Sequence, residues 1–121
     1  MKYTSTVVLS FGAGHKLHPG DHLCGAHSHG HLYAVAVTFE REGYPDKDLI
    51  DWTRQRSKTL DLVMELKNRE LNKMLGAQVP NVFGVASFFM ERLAINEPVI
   101  EVEVREDVNG PVARIERDTD F

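Results

Sequence analysis

Cysteine occurs once in the 121 residues, as Cys24, so no disulfide can form within the chain and stability must come from an apolar core. Positive charge is not in surplus: 18 acidic against 14 basic residues leave a net charge of −4. That balance excludes the basic field needed to hold a nucleic-acid backbone or an anionic membrane nonspecifically. No apolar run approaches the ~18 residues of a membrane-spanning helix, and the N-terminal region lacks the basic, apolar and small-residue succession of a secretion signal. A single cysteine and no export signal point to the cytoplasm. Repeats and low-complexity segments are also missing. What remains is 42% hydrophobic and 26% charged residues, the composition of a folded globular chain, and a length that predicts one domain over residues 1–121. Histidine is the anomaly. All six, His15, His18, His22, His27, His29 and His31, lie in one short stretch.

The patterning predicts an α+β domain. Residues Tyr3 to Phe11 are rich in Thr and Val, with Val7, Leu9 and Phe11 on one parity, the period of a half-buried strand. Gly12, Gly14, Pro19, Gly20 and Gly25 predict a loop from residue 12 to about residue 28. In a second strand His29, His31, Tyr33, Val35, Val37 and Phe39 share one face. After the turn at Gly43 to Pro45, Leu49, Trp52, Leu60, Val63, Met64, Leu71 and Met74 predict a long, kinked helix ended by Gly76. Val82, Val85, Ala86, Phe89, Met90 and Leu93 form an amphipathic stripe that predicts a core-facing second helix. Val99 to Arg105 alternates apolar and charged residues, Asn109-Gly110 marks a hairpin, and Val112 to Arg117 returns as its partner. The order is ββααββ: a four-stranded antiparallel sheet with both helices on one face and its outer edges open for pairing with another copy.

His29-Gly-His31 offers two imidazoles on one strand face, and a third from across the loop would complete a three-histidine site suited to zinc, with a fourth position open for water or substrate. His15 is the favoured third ligand because it lies just past the first strand; His18, His22 and His27 are rivals. Solvated surface histidines are the alternative. Asp46, Asp48 and Asp51 read as acidic residues favoured by a helix dipole. Gly12-Ala-Gly14 is not a phosphate loop, because no helix or Lys-Ser follows. From the residues alone, Glu106 reads as a solvated charge at a strand end and Cys24 as a small buried side chain.

Phe11-Gly-Ala-Gly-His15-Lys-Leu17, Cys24, His29-Gly-His31-Leu-Tyr33 and Glu106 after a Val-x-Val strand resemble the 6-pyruvoyltetrahydropterin synthase and 6-carboxytetrahydropterin synthase family over nearly the whole chain. The resemblance implies the T-fold, whose ββααββ units join into a β-barrel as trimers, often paired into hexamers. It implies zinc on His15, His29 and His31, with Glu106 gripping the pterin ring of 7,8-dihydroneopterin triphosphate, and Cys24 as the base that removes a side-chain proton. A carboxylate suits that anchoring role because it can accept two parallel N–H bonds from a 2-aminopyrimidinone.

Two family elements are altered. Lys67-Asn68, within Leu66 to Asn72, stands where an aspartate-histidine pair is expected, and Pro80-Asn81-Val82-Phe83 replaces a proline-threonine-x-glutamate segment. The implied activity is therefore a zinc-dependent pterin lyase of the 6-carboxytetrahydropterin synthase type, serving a deazapurine (queuosine) or related pterin pathway. His27 or Lys67 would take over the missing proton transfer. A pterin side-chain aldolase-like enzyme and a noncatalytic zinc- and pterin-binding homologue are the alternatives. The expected partners are a small-molecule pterin and further copies of the chain, not nucleic acid or membrane.

Overall fold

Two long strands, β1 (Lys2–His15) and β2 (His29–Glu42), open the chain as an antiparallel pair. The computed structural model describes residues 2–16, 29–43, 48–76 and 78–118. Helices α1 (Asp48–Leu66), α2 (Leu71–Met74) and α3 (Val82–Leu93) follow, then strands β3 (Val99–Glu106) and β4 (Val112–Glu116). The sheet is antiparallel throughout, in the order β1-β2-β3-β4, with an irregularity in the β2–β3 register between Thr38 and Phe39.

Alternation decides which face is dry. Val7, Phe11 and Ala13 of β1, Tyr33, Val35, Val37 and Phe39 of β2, and Val99, Val102 and Val104 of β3 are all buried. Helix α1 packs on β1, and α3 on β3 and β4. All six residues of the predicted stripe, from Val82 to Leu93, are buried. Asn81 caps α3, its side-chain oxygen accepting from the N–H groups of Phe83 and Gly84. Gly84 lies so close to the preceding chain that a Cβ there would stand 1.6 Å from the Val79 carbonyl oxygen. Among the described residues no helix is long and apolar enough to cross a membrane.

Two predicted boundaries need correction. The first strand does not end at Phe11: it continues to His15, with Gly12 opposite Leu32 and Gly14 opposite Gly30. Glycine weakens a strand locally, but here two long strands already hold the register, so pairing overrides the loop signal. The long helix is also divided, since Asn68 adopts φ 59°, a left-handed conformation that asparagine tolerates and helices do not continue through. The Asn68 N–H donates to the Gly12 carbonyl at 2.7 Å, and the Gly14 N–H donates to the Arg69 carbonyl at 2.9 Å. The break therefore docks residues 68–70 on the end of β1.

A buried polar group ties α1 to the start of β3. The Glu97 side chain, only 2% exposed, lies 2.8 Å from Lys58 Nζ and 3.3 Å from Arg54 Nη2. The Gln55 amide donates to it at 3.2 Å and accepts from the buried Arg41. Burial alone would raise the pKa of Glu97; the hydrogen bonds from Lys58 and Gln55 and the charge of Arg54 outweigh it and hold the pKa below 4.5, its ordinary value.

Candidate functional site

The β1–β2 register builds the site. His15 pairs directly with His29, and Ala13 with His31, so both strands present their histidines to the helix-facing side, where cross-strand neighbours meet. The His15 and His29 ring centroids are 4.6 Å apart, and His31 lies 4.8 Å from each. One ring nitrogen from each of the three falls within 4.8 Å of the others. His15 is buried, while His29 and His31 are half-buried.

Hydrogen bonds on the outer ring nitrogens fix what the inner ones can do. His15 Nδ1 lies 2.6 Å from the Pro80 carbonyl oxygen, which can only accept, so Nδ1 carries the proton and Nε2 presents a lone pair. Burial lowers the His15 pKa, with the Pro80 carbonyl and Glu106 opposing it, so the ring is held toward the neutral form that can ligate. Tyr33 Oη is 3.3 Å from the same Nδ1; burial, reinforced by Glu106 and Asp107, raises the pKa of this phenol and keeps its proton on. His31 Nδ1 faces Asp107 Oδ2 at 2.6 Å. Asp107 has its pKa lowered by the Leu32 backbone N–H and by His31, so it accepts the Nδ1 proton, and in the neutral ring that ligates a metal the lone pair is then on Nε2.

With neutral rings, His31 Nε2 and the Glu106 carboxylate face each other as two acceptors, while His15 Nε2 lies within hydrogen-bond distance of His29 Nε2, at 3.0 Å. Glu106 Oε1 stands 2.7 Å from His31 Nε2 and 3.7 Å from His15 Nε2. Despite that proximity His31 Nε2, which is buried, has no hydrogen-bond partner among the described residues, because the carboxylate is close without forming an aligned bond. Inward lone pairs from two imidazoles beside a carboxylate call for a positive charge among them. A zinc ion held by neutral His15, His29 and His31 fits this donor set. Beside the histidines lies a cavity of about 330 Å³ whose walls include Asn81, Val82, Phe83 and Glu106. The β3–β4 turn that forms one wall is tight: a Cβ on Gly110 would stand 1.8 Å from the Glu106 carbonyl oxygen.

A family model for 6-pyruvoyl tetrahydropterin synthase matches residues 4–116. The chain belongs to the 6-pyruvoyl tetrahydropterin synthase family. The Caenorhabditis elegans 6-pyruvoyl tetrahydropterin synthase superposes with a TM-score of 0.82 at 20% identity, covering 98% of this chain and 97% of that one. An uncharacterized protein of Wolinella succinogenes superposes with a TM-score of 0.65 at 18% identity, covering 98% and 99% of the two chains. At these identities the superpositions establish the fold. No curated protein matches the sequence. The α+β T-fold read from the sequence is thus the fold of the pterin-processing enzymes of the 6-pyruvoyl tetrahydropterin synthase family.

Within this family frame, the structure brings His15, His29, His31 and Glu106 together. Cys24 and His27, the proposed proton carriers, lie outside the described residues, as do the rival ligands His18 and His22. Lys67 is exposed. Next to it, Asn68 lines a surface groove with Gly12, Gly14, Gly30 and Leu32, a groove that His31 and Asp107 also border. Asn72 grips the chain after β1, accepting from the Lys16 N–H and donating to the Lys16 carbonyl. Sequence reasoning missed three contributors: Asp107, the Pro80 carbonyl and Tyr33 Oη. The signals available were the adjacency of Asp107 to Glu106 and the shared strand face of Tyr33 and His31.

Proposed function

We propose that this chain is a zinc-dependent pterin lyase of the 6-carboxytetrahydropterin synthase type, acting on 7,8-dihydroneopterin triphosphate in a deazapurine (queuosine) or related pterin pathway. The observation that carries the reading is the trio of inward ring nitrogens with Glu106 beside them at the wall of a cavity. His15, His29 and His31 would hold the metal, which would supply Lewis-acid polarisation of a substrate oxygen. The Pro80 carbonyl and Asp107 keep two of those rings turned with Nε2 inward. Glu106 anchors the 2-aminopyrimidinone by accepting two N–H bonds, which orients the side chain toward the histidines. Cys24 takes the proton from the substrate side chain, which requires a thiolate, and His27 returns one. The functional unit is a trimer or hexamer in the cytoplasm, closed through the sheet edges at β1 and β4.

The anchoring role of Glu106 has a direct test. Gln in place of Glu keeps the shape but puts an N–H₂ donor where a second acceptor is needed, so Glu106→Gln is expected to weaken pterin binding by about 10–100-fold. Zinc content should be unchanged. Fluorescence titration with 7,8-dihydroneopterin triphosphate, alongside metal analysis of the same samples, checks both. Equal pterin affinity in parent and variant would remove Glu106 from the ring-binding role.

One observation favours a second reading. The family's aspartate-histidine position is occupied here by exposed Lys67 and by Asn68, whose backbone is committed to docking on β1. A site that cleaves the pterin side chain by retro-aldol chemistry, or binds pterin without turnover, has no need of that pair. Product analysis separates these readings.

A further inference from the structure

Asp107 stands at the start of the β3–β4 turn with φ 55°, a left-handed conformation open to glycine, asparagine and aspartate. It is fastened to β2 from both ends of the residue. Its backbone N–H donates to the Leu32 carbonyl at 2.7 Å, and its Oδ1 accepts from the Leu32 N–H at 2.9 Å. The remaining oxygen, Oδ2, is thereby aimed at His31 Nδ1, 2.6 Å away. Both carboxylate oxygens face N–H donors, and the group that aligns them is the neighbouring residue of the strand that bears His31.

We propose that Asp107 is a positioning residue for the metal site: it selects the Nδ1–H tautomer of His31 and so keeps the Nε2 lone pair of that ring turned toward His15, His29 and the bound ion. The inference rests on the zinc reading above and adds a residue that acts on the metal through His31 and also lines the cavity beside it. Its chemistry makes a sharp demand on the side chain. Both oxygens must accept, so asparagine fails wherever its amide points: N–H₂ toward His31 favours the Nε2–H tautomer, and N–H₂ toward Leu32 sets donor against donor. Asparagine nonetheless tolerates the backbone conformation, and the backbone bond to Leu32 survives. The variant should fold.

The test combines two readouts on Asp107→Asn. Zinc titrated against a chromophoric chelator should bind about 10–100-fold more weakly than in the parent, the usual cost of losing a hydrogen-bond partner of a metal-bound histidine. In the metal-free protein, at a pH where the ring is neutral, nitrogen-15 NMR should show His31 protonated on Nδ1 in the parent and on Nε2 in the variant, with His15 unchanged on its Pro80 contact. Equal zinc affinity, or the same His31 tautomer in both proteins, overturns the positioning role. If Asp107→Asn does not fold, Asp107→Gly serves instead, since glycine accepts the same φ without strain and removes the carboxylate; the same weakening of zinc binding is expected, and parental affinity overturns the proposal. Should the parent take up no zinc, the metal reading fails, and the metal-free tautomer then decides the role of Asp107 alone.

Discussion

Replacing His29 by alanine is expected to abolish stable zinc binding while leaving the fold in place. Three imidazoles converge on one centre, and a site with one of three protein ligands gone should lose more affinity than the about 10–100-fold that follows loss of an outer hydrogen-bond partner. His29 is the informative choice because it is half-buried at the first position of β2, where truncation opens no core cavity. His15 is fully enclosed and contacts the Pro80 carbonyl, so its loss would mix metal effects with packing effects. Metal analysis after gel filtration, with circular dichroism on the same sample, checks the expectation. Zinc retained at the parental stoichiometry in His29→Ala would show that the imidazole cluster is not the metal site.

The second large effect lies away from that centre. Glu97→Gln is expected to destabilise the protein by about 2 kcal/mol at pH 7, because a buried carboxylate accepting charge-assisted hydrogen bonds is replaced by a neutral amide. Arg41 and Gln55, both buried, depend on the same group of contacts. The folded-state pKa of Glu97 lies below its ordinary 4.5. Stability from a depressed carboxylate is therefore fully present above the unfolded pKa and fades as pH falls through the folded one. The gap between parent and variant should hold from neutral pH to about pH 5 and narrow at lower pH. Urea unfolding midpoints measured across that range give the gap directly. A gap that does not change with pH would mean the carboxylate is uncharged or that its charge contributes nothing.

Legibility in the sequence followed the range of the interaction. Strand periodicity fixed which residues of β2 face the helices, since alternate side chains must share a face, and His29 and His31 were placed together by that rule alone. His15 could be paired with them because one hairpin joins the two strands. Gly12 and Gly14 misled the boundary of β1: loop chemistry was read locally, whereas pairing with Leu32 and Gly30 keeps both in the strand. The division of the long helix at Asn68 depends on hydrogen bonds to Gly12 and Gly14, partners more than fifty residues away in sequence that local propensity cannot register.

Asp107 was missed for the same kind of reason. Its role depends on the β2–β3 register, Tyr33 opposite Glu106, which brings the residue after Glu106 alongside Leu32 and His31. Nothing in Arg105-Glu106-Asp107-Val108 as a string of letters distinguishes it from other charged turns. Pro80, part of the altered segment Pro80-Asn81-Val82-Phe83, contributes a carbonyl that no side-chain pattern announces. Glu97 carries no sequence signal that separates it from the exposed acidic residues, yet it is an enclosed carboxylate.

The central claim is that the histidine centre serves pterin chemistry. The most direct measurement incubates zinc-loaded protein with 7,8-dihydroneopterin triphosphate and follows products by liquid chromatography and mass spectrometry, with Cys24→Ala and His29→Ala as controls. A carboxy, pyruvoyl or hydroxymethyl pterin that forms with the parent and vanishes in both controls is the expected result, and its mass names the branch. Unchanged substrate beside fully zinc-loaded parent protein would contradict lyase activity on this compound.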